Sequence, residues 1–195
     1  MKRTLIILML FLAVLGSPGA EAILSLGPGI DLVGQDLGSR GELQFAALGF
    51  QALIFTGSPL GFLAAVSFSF VPLGADLNNT SLALGSFKQH WVLDMLWAAG
   101  YHIAAGPRIH LLAAAGLHSS QISLVHDTDA LQVFDRELAL GAGLNMSAHY
   151  RLARGLLFTL QLKGAYDFFS YAFFKEAEIA SALSLGGSAG ISLAF

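Results

Sequence analysis

A chain of 195 residues that is 55% hydrophobic and 12% charged departs from a soluble domain, which is roughly 45–50% apolar and about 25% charged. The formal net charge of −3 offers no basic surface to nucleic acid, and the absence of cysteine removes disulfides, thiolate metal sites and a cysteine lipid anchor. At one domain per ~150 residues the length fits a single domain, and the composition points to a membrane protein.

The first element is an address. Met1-Lys2-Arg3 is positive, Thr4 to Leu15 is an uncharged run of 12 residues, and Gly16-Ser17-Pro18-Gly19 breaks it before Ala20-Glu21-Ala22. This is the layout of a secretory signal peptide over residues 1–22, and the apolar run is under the ~20 residues that a spanning helix needs. Cleavage after Ala22 leaves 173 residues, 23–195, and takes the formal net charge from −3 to −4.

Leu43 to Ala75 holds no charge and would invite a helical span, but Gly57-Ser58-Pro59 and Pro72 break it. Charges also recur inside apolar segments at Asp94, Arg108, Arg151 and Lys163, where a lipid-facing helix would not tolerate them. The period is two, the signature of strands with one oily face and one polar or small face. Eight such segments follow one another at about 23–33, 43–55, 60–70, 90–104, 108–118, 136–152, 156–168 and 182–195. In the second, Gln44 and Gln51 fall in opposite phases, which points to a bulge there or to another register. The fourth sets Trp91, Leu93, Met95, Trp97, Ala99, Tyr101 and Ile103 against Asp94, Gly100 and His102. The sixth sets Leu138, Leu140, Leu144 and Met146 against Gly141, Gly143, Asn145, Ser147 and His149, and the last sets Leu183, Leu185, Ile191 and Leu193 against Ser184, Gly186, Ser188 and Ser192. The second face is mainly Gly, Ala and Ser, which suits a tight lumen with lipid on the other side.

Connections after the second, fourth and sixth segments are short, and those after the first, third, fifth and seventh are longer and polar. That alternation and the even count predict an all-β fold, an eight-stranded antiparallel up-and-down transmembrane β-barrel over 23–195. With both termini periplasmic, Phe62, Tyr101, Tyr150, Phe158 and Phe195 form one aromatic girdle and Phe68, Phe70, Trp91, Tyr166 and Phe168 the other. Trp97 lies mid-strand, outside both.

A signal peptide, eight alternating strands and a terminal Gly190-Ile191-Ser192-Leu193-Ala194-Phe195 together resemble the small OmpA/OmpX/OmpW-type outer-membrane barrels. The resemblance is one of pattern over nearly the whole mature chain. It implies export to the outer membrane of a two-membrane bacterium, contact with outer-membrane lipid, and insertion by a barrel-assembly machinery that reads Phe195. An OmpW-like role, binding or passage of small hydrophobic molecules, is a further implication of the class.

On the inner face, Arg108, Arg151 and Lys163 stand against Asp31, Asp94, Glu137 and Asp167 as a charge network inside the barrel. Such charges must pair, because unpaired burial costs several kcal/mol. A symmetric turn at Gly106 sets His102 opposite His110 and Asp94 opposite His118, with His149 on the same lumen face; a slip of two residues dissolves the first pair. His110 and His118 lie about 27 Å apart on one strand and cannot share a metal ion. Gly186-Gly187-Ser188-Ala189-Gly190 matches a nucleophile elbow, but no acid or histidine follows it, so the reading is not an enzyme, and no cofactor or metal motif is present. Asp127 and Asp129 make the third outer loop acidic, and Tyr171, Phe173 and Phe174 beside Lys175, Glu176 and Glu178 give the fourth an aromatic cluster for headgroups or the mouth. The expected function is that of a monomeric, surface-exposed barrel supporting envelope integrity or narrow passage of small solutes. A loop-mediated adhesion protein is the alternative, and a lipid-modifying barrel enzyme a distant third.

Overall fold

A computed structural model of the chain describes residues 22–36, 41–126, 134–172 and 181–195, with backbone alone described at 86, 88–89, 122, 124–126, 134–137 and 170–172. The expected signal peptide, the third-loop acids Asp127 and Asp129, and Phe173, Phe174, Lys175, Glu176 and Glu178 lie outside the described residues. Eight long strands follow in chain order: β1 (Ala22–Asp36), β2 (Glu42–Gly57), β3 (Leu60–Leu77), β4 (Phe87–Ala104), β5 (Ile109–His126), β6 (Phe134–Ala153), β7 (Leu156–Ala172) and β8 (Ser181–Ala194). A two-residue strand, Thr80–Ser81, pairs with the end of β3. Every neighbouring pair is antiparallel, and β1–β8 pairing closes the sheet into a barrel.

Closure leaves no strand unpaired along a whole edge, which is what allows a sheet to sit in hydrocarbon; the β3–β4 ladder itself runs from the Leu60/Tyr101 pair to the Ser69/Val92 pair. Short turns at 58–59, 105–108 and 154–155 gather at one end with the start of β1 and the end of β8; this is the short-turn end. Gly155, at φ 72°, supplies the left-handed residue of its two-residue turn. The longer connections define the loop end. Among the described residues no helix is long and apolar enough to cross a membrane; the outward faces of the strands carry the apolar surface instead, with Leu117, Leu144, Met146 and Leu162 all exposed.

The strands outrun the sequence reading at the loop end. β5 continues to His126 rather than stopping near 118, because Ser119 and Gln121 replace the oily residues of its outward face. Strands of 14–20 residues exceed the ~9–11 that cross a bilayer. The irregularity expected in the second segment lies on its partner. The β2–β3 register shifts between Ala46 and Ala47 and between Leu48 and Gly49, where β3 carries the extra residues Leu73 and Phe70. Pro72, with no N–H to give a ladder, sits between them. Gln44 accordingly points outward and Gln51 inward without a break in β2 itself.

The turn between β4 and β5 also differs from the symmetric one expected. Ala104, not His102, is directly opposite His110, and Ser120, not His118, is opposite Asp94, a slip of two residues. The slip does not dissolve the pairs. Diagonal neighbours on one face of a twisted antiparallel pair remain within reach of long side chains, and both contacts persist on the diagonal.

Candidate functional site

The inward faces stack into three layers. In the middle, Lys163 on β7 reaches across the lumen, its Nζ 2.9 Å from Asp31 Oδ1 of β1 and 2.9 Å from Asp94 Oδ1 of β4, and donates to Ser67 Oγ at 2.6 Å. Asp31 also accepts from Ser69 Oγ and from Gln51 Nε2 at 3.3 Å. On the far side of Asp94, His118 Nε2 stands 2.9 Å from Oδ2, a contact by distance whose angle falls outside hydrogen-bond geometry. His118 Nδ1 lies 2.6 Å from Asp167 Oδ1, and Ser120 Oγ donates to Asp167 Oδ2 at 2.9 Å. The result is one chain of alternating sign, Asp31–Lys163–Asp94–His118–Asp167. An imidazolium can donate from both nitrogens, so His118 between two carboxylates can serve as its second cation.

Glycine makes room for this layer. A Cβ on Gly186 would collide with Lys163 and Asp31, and one on Gly143 would lie 2.9 Å from Leu96 Cδ1 and 3.3 Å from His118 Cβ. The small residues that alternate with oily ones in β6 and β8 therefore leave volume for the ionic side chains of other strands.

Buried apolar side chains gather on both sides of this layer. Towards the loop end Val33, Leu43, Phe45, Ala47, Ala75, Phe87, Val92 and Ala182 form one buried cluster. Towards the short-turn end Ile23, Leu53, Phe55, Leu63, Leu96, Leu112 and Leu157 form another. Around the lower cluster runs a hydroxyl-lined strip. His149, fully buried, has Nδ1 2.7 Å from Thr159 Oγ1 and Nε2 2.9 Å from Ser147 Oγ, and Thr159 contacts Ser192. Asn145, directly opposite Lys163 in the β6–β7 register, is fully buried with both amide atoms lacking a protein partner.

The last group sits at the short-turn mouth. His102 Nε2 and His110 Nδ1 are 3.2 Å apart with their rings stacked, and Arg151 Nη2 is 3.0 Å from His110 Nε2. Arg108 points away, to the Tyr150 hydroxyl at 3.4 Å. Of the seven charges expected in one network, Asp31, Asp94, Lys163 and Asp167 come together mid-lumen. Arg108 and Arg151 do not: Arg108 lies in the 105–108 turn, Arg151 near the end of β6, and both side chains are exposed. The Glu137 side chain lies outside the described residues. The histidines divide: His118 joins the ionic layer, His102 and His110 the mouth, and His149 the hydroxyl strip. Sequence reasoning passed over Ser67, Ser69, Gln51 and Ser120, although each lies in the inward phase of its strand. No group of three His, Asp or Glu side chains among the described residues is arranged to hold a metal ion.

Outward, Phe62, Tyr101, Tyr150, Phe158 and Phe195 are exposed near the short-turn end, and Phe68, Phe70, Tyr166 and Phe168 are exposed nearer the loops, with Trp91 partly covered. Phe68 packs against both Phe70 and Trp91, at ring centroid distances of 5.6 and 6.2 Å. Trp97 is not isolated: its ring lies 6.2 Å from Phe62. Phe50, 6.1 Å from Phe70, extends the loop-end group. Ser188 of the elbow-like motif is mid-strand, paired with Gly29 and Gln161, with none of the strand-to-helix turn that such a nucleophile requires.

A closed antiparallel barrel of eight long strands with a filled lumen and an oily exterior decides the fold. It is that of the small outer-membrane β-barrels. The chain superposes on Neisserial surface protein A, NspA, with a TM-score of 0.60 at 14% identity, covering 91% of this chain and 99% of that one. OprG from Pseudomonas aeruginosa matches with a TM-score of 0.57 at 12% identity over 90% of this chain and 96% of that one. Ail of Yersinia pestis, solved with the heparin analogue sucrose octasulfate, matches with a TM-score of 0.53 at 11% identity over 90% and 99%. No family model and no curated protein matches the sequence.

Proposed function

We propose that this protein is a monomeric, non-enzymatic outer-membrane barrel that does not conduct ions and supports the cell envelope, with its loop end at the surface and its short-turn end in the periplasm. The stratified lumen carries the reading. An ion crossing it would have to pass two buried apolar clusters and would meet, between them, charges already engaged with one another. An eight-stranded barrel is just wide enough for side chains to fill, so these layers take the space a channel would need. Export by a cleaved signal peptide and insertion guided by Phe195 complete the proposal.

Planar-bilayer recording of the purified mature barrel tests it. The expected trace shows no discrete current steps at either polarity; reproducible single-channel steps would overturn the reading in favour of narrow passage. The polysulfate seen on Ail is not carried over. The loop-end segments 36–42, 72–90, 119–137 and 169–180 hold nine acidic and four basic residues, a balance that repels a polyanion.

A further inference from the structure

The charges of the described residues are unequally placed along the barrel. The ionic layer is mixed in sign, and the loop end is predominantly acidic. At the short-turn mouth lies a cavity of about 410 Å³ lined by His102, His110, Arg151 and Arg154, with Ile23, Leu157 and Phe195 among the apolar residues of its wall. It has no acidic side chain in its lining. Two guanidiniums, permanently charged, thus share one concave space that no acidic side chain lines.

Their arrangement is directional. A guanidinium has no lone pair, so at 3.0 Å Arg151 donates and His110 Nε2 accepts. In the neutral ring the proton then sits on Nδ1, which donates to His102 Nε2 at 3.2 Å. The stacked histidines anchor one edge of Arg151, which lines the cavity. Arg154 comes from the neighbouring turn, and its exposed side chain has no ion pair with any described residue. The cavity floor is the lower apolar cluster, to which Ile23 and Leu157 belong.

We infer that this mouth is a dead-end binding site for a phosphate-bearing anion, with Arg151 and Arg154 as the phosphate ligands and the lower apolar cluster, reached at Ile23 and Leu157, as the floor beneath an attached apolar chain. Planar, multidentate N–H donors match phosphate geometry, and a cavity of this size lies in the range of small-ligand pockets. The apolar floor and the carboxylates beyond it stop the anion at the mouth, so it binds without passing. The same phosphate chemistry is available from free phosphate and from a phospholipid headgroup.

Titration calorimetry of the full mature barrel in a neutral detergent, with inorganic phosphate in one arm and dihexanoyl-phosphatidylglycerol in the other, tests the site. Binding of inorganic phosphate supports it with a free anion as ligand; binding of the lipid alone supports it with the headgroup as ligand. In either arm Arg151→Gln/Arg154→Gln should weaken binding at least tenfold. Arg154→Gln alone, at an exposed turn position, should weaken it severalfold, while Arg108→Gln, aimed at Tyr150, should leave it unchanged. No heat with either probe, or affinity within twofold of the unsubstituted protein in both Arg154 variants, would overturn the inference. The dead end rests on the proposed closed lumen, and a channel recorded in bilayers would overturn that part; the calorimetry reads the arginine site by itself, whatever the conductance.

Discussion

The ionic layer and the short-turn mouth use the same residue types to opposite ends. On β5, His118 sits between two carboxylates, while His110, eight residues away, sits against an arginine. In the middle, the Lys163 side chain is 7% exposed and that of Asp167 1%; Lys163 contacts two carboxylates, and Asp167 contacts the imidazole of His118. At the mouth, Arg151 and Arg154 are exposed and share one cavity with no acidic side chain. Desolvation explains the contrast. A buried charge without a partner costs several kcal/mol, so the mid-lumen tolerates only paired ones, whereas water screens like charges at the rim and lets them collect. Charge type alone does not assign a role inside a barrel; depth does.

Breaking the middle of the layer should have the largest effect. Lys163→Met strips the cation from two adjacent buried carboxylates and should cost about 3–5 kcal/mol. Urea unfolding in detergent micelles reads this as a lowered midpoint, and adding Asp31→Asn should recover part of the loss. A midpoint equal to that of the unsubstituted protein would show that the layer does not hold the barrel closed. Gly186→Val comes next. Its side chain would intrude on Lys163 and Asp31, an overpacking that costs about 1–3 kcal/mol by the same assay. The smallest effect is expected at the mouth, where Arg154→Gln should leave the midpoint unmoved. A large drop there would erase the distinction between a buried structural layer and an open binding rim.

Much of this was legible without coordinates. Strand number, order and the inward or outward phase of nearly every residue follow from alternation, which is local: each side chain's face is set by its neighbour's. Asp31, Asp94, Lys163 and Asp167 fall on the inner face for that reason. Alternation also over-predicted, because phase says nothing about depth. Arg108 and Arg151 share the inner phase with Lys163 but lie where their strands end, beyond the layer that Lys163 organises. The hydroxyls of Ser67, Ser69 and Ser120 drew no attention because serine on an inner face reads as a small residue until a carboxylate is placed beside it.

Residue order alone carries the class: eight strands, one oily face, one small and polar face, and short turns alternating with long loops. Those features are written in residue order and need no partner strand to be read. Who meets whom is a property of the folded barrel. The two-residue slip between β4 and β5, the extra residues of β3, and the grouping of charges into a sealed middle and an open mouth depend on register across strands and on closure of the sheet. Register is fixed by the packing of the whole lumen, in which the space left by Gly186 on one strand admits the lysine of another.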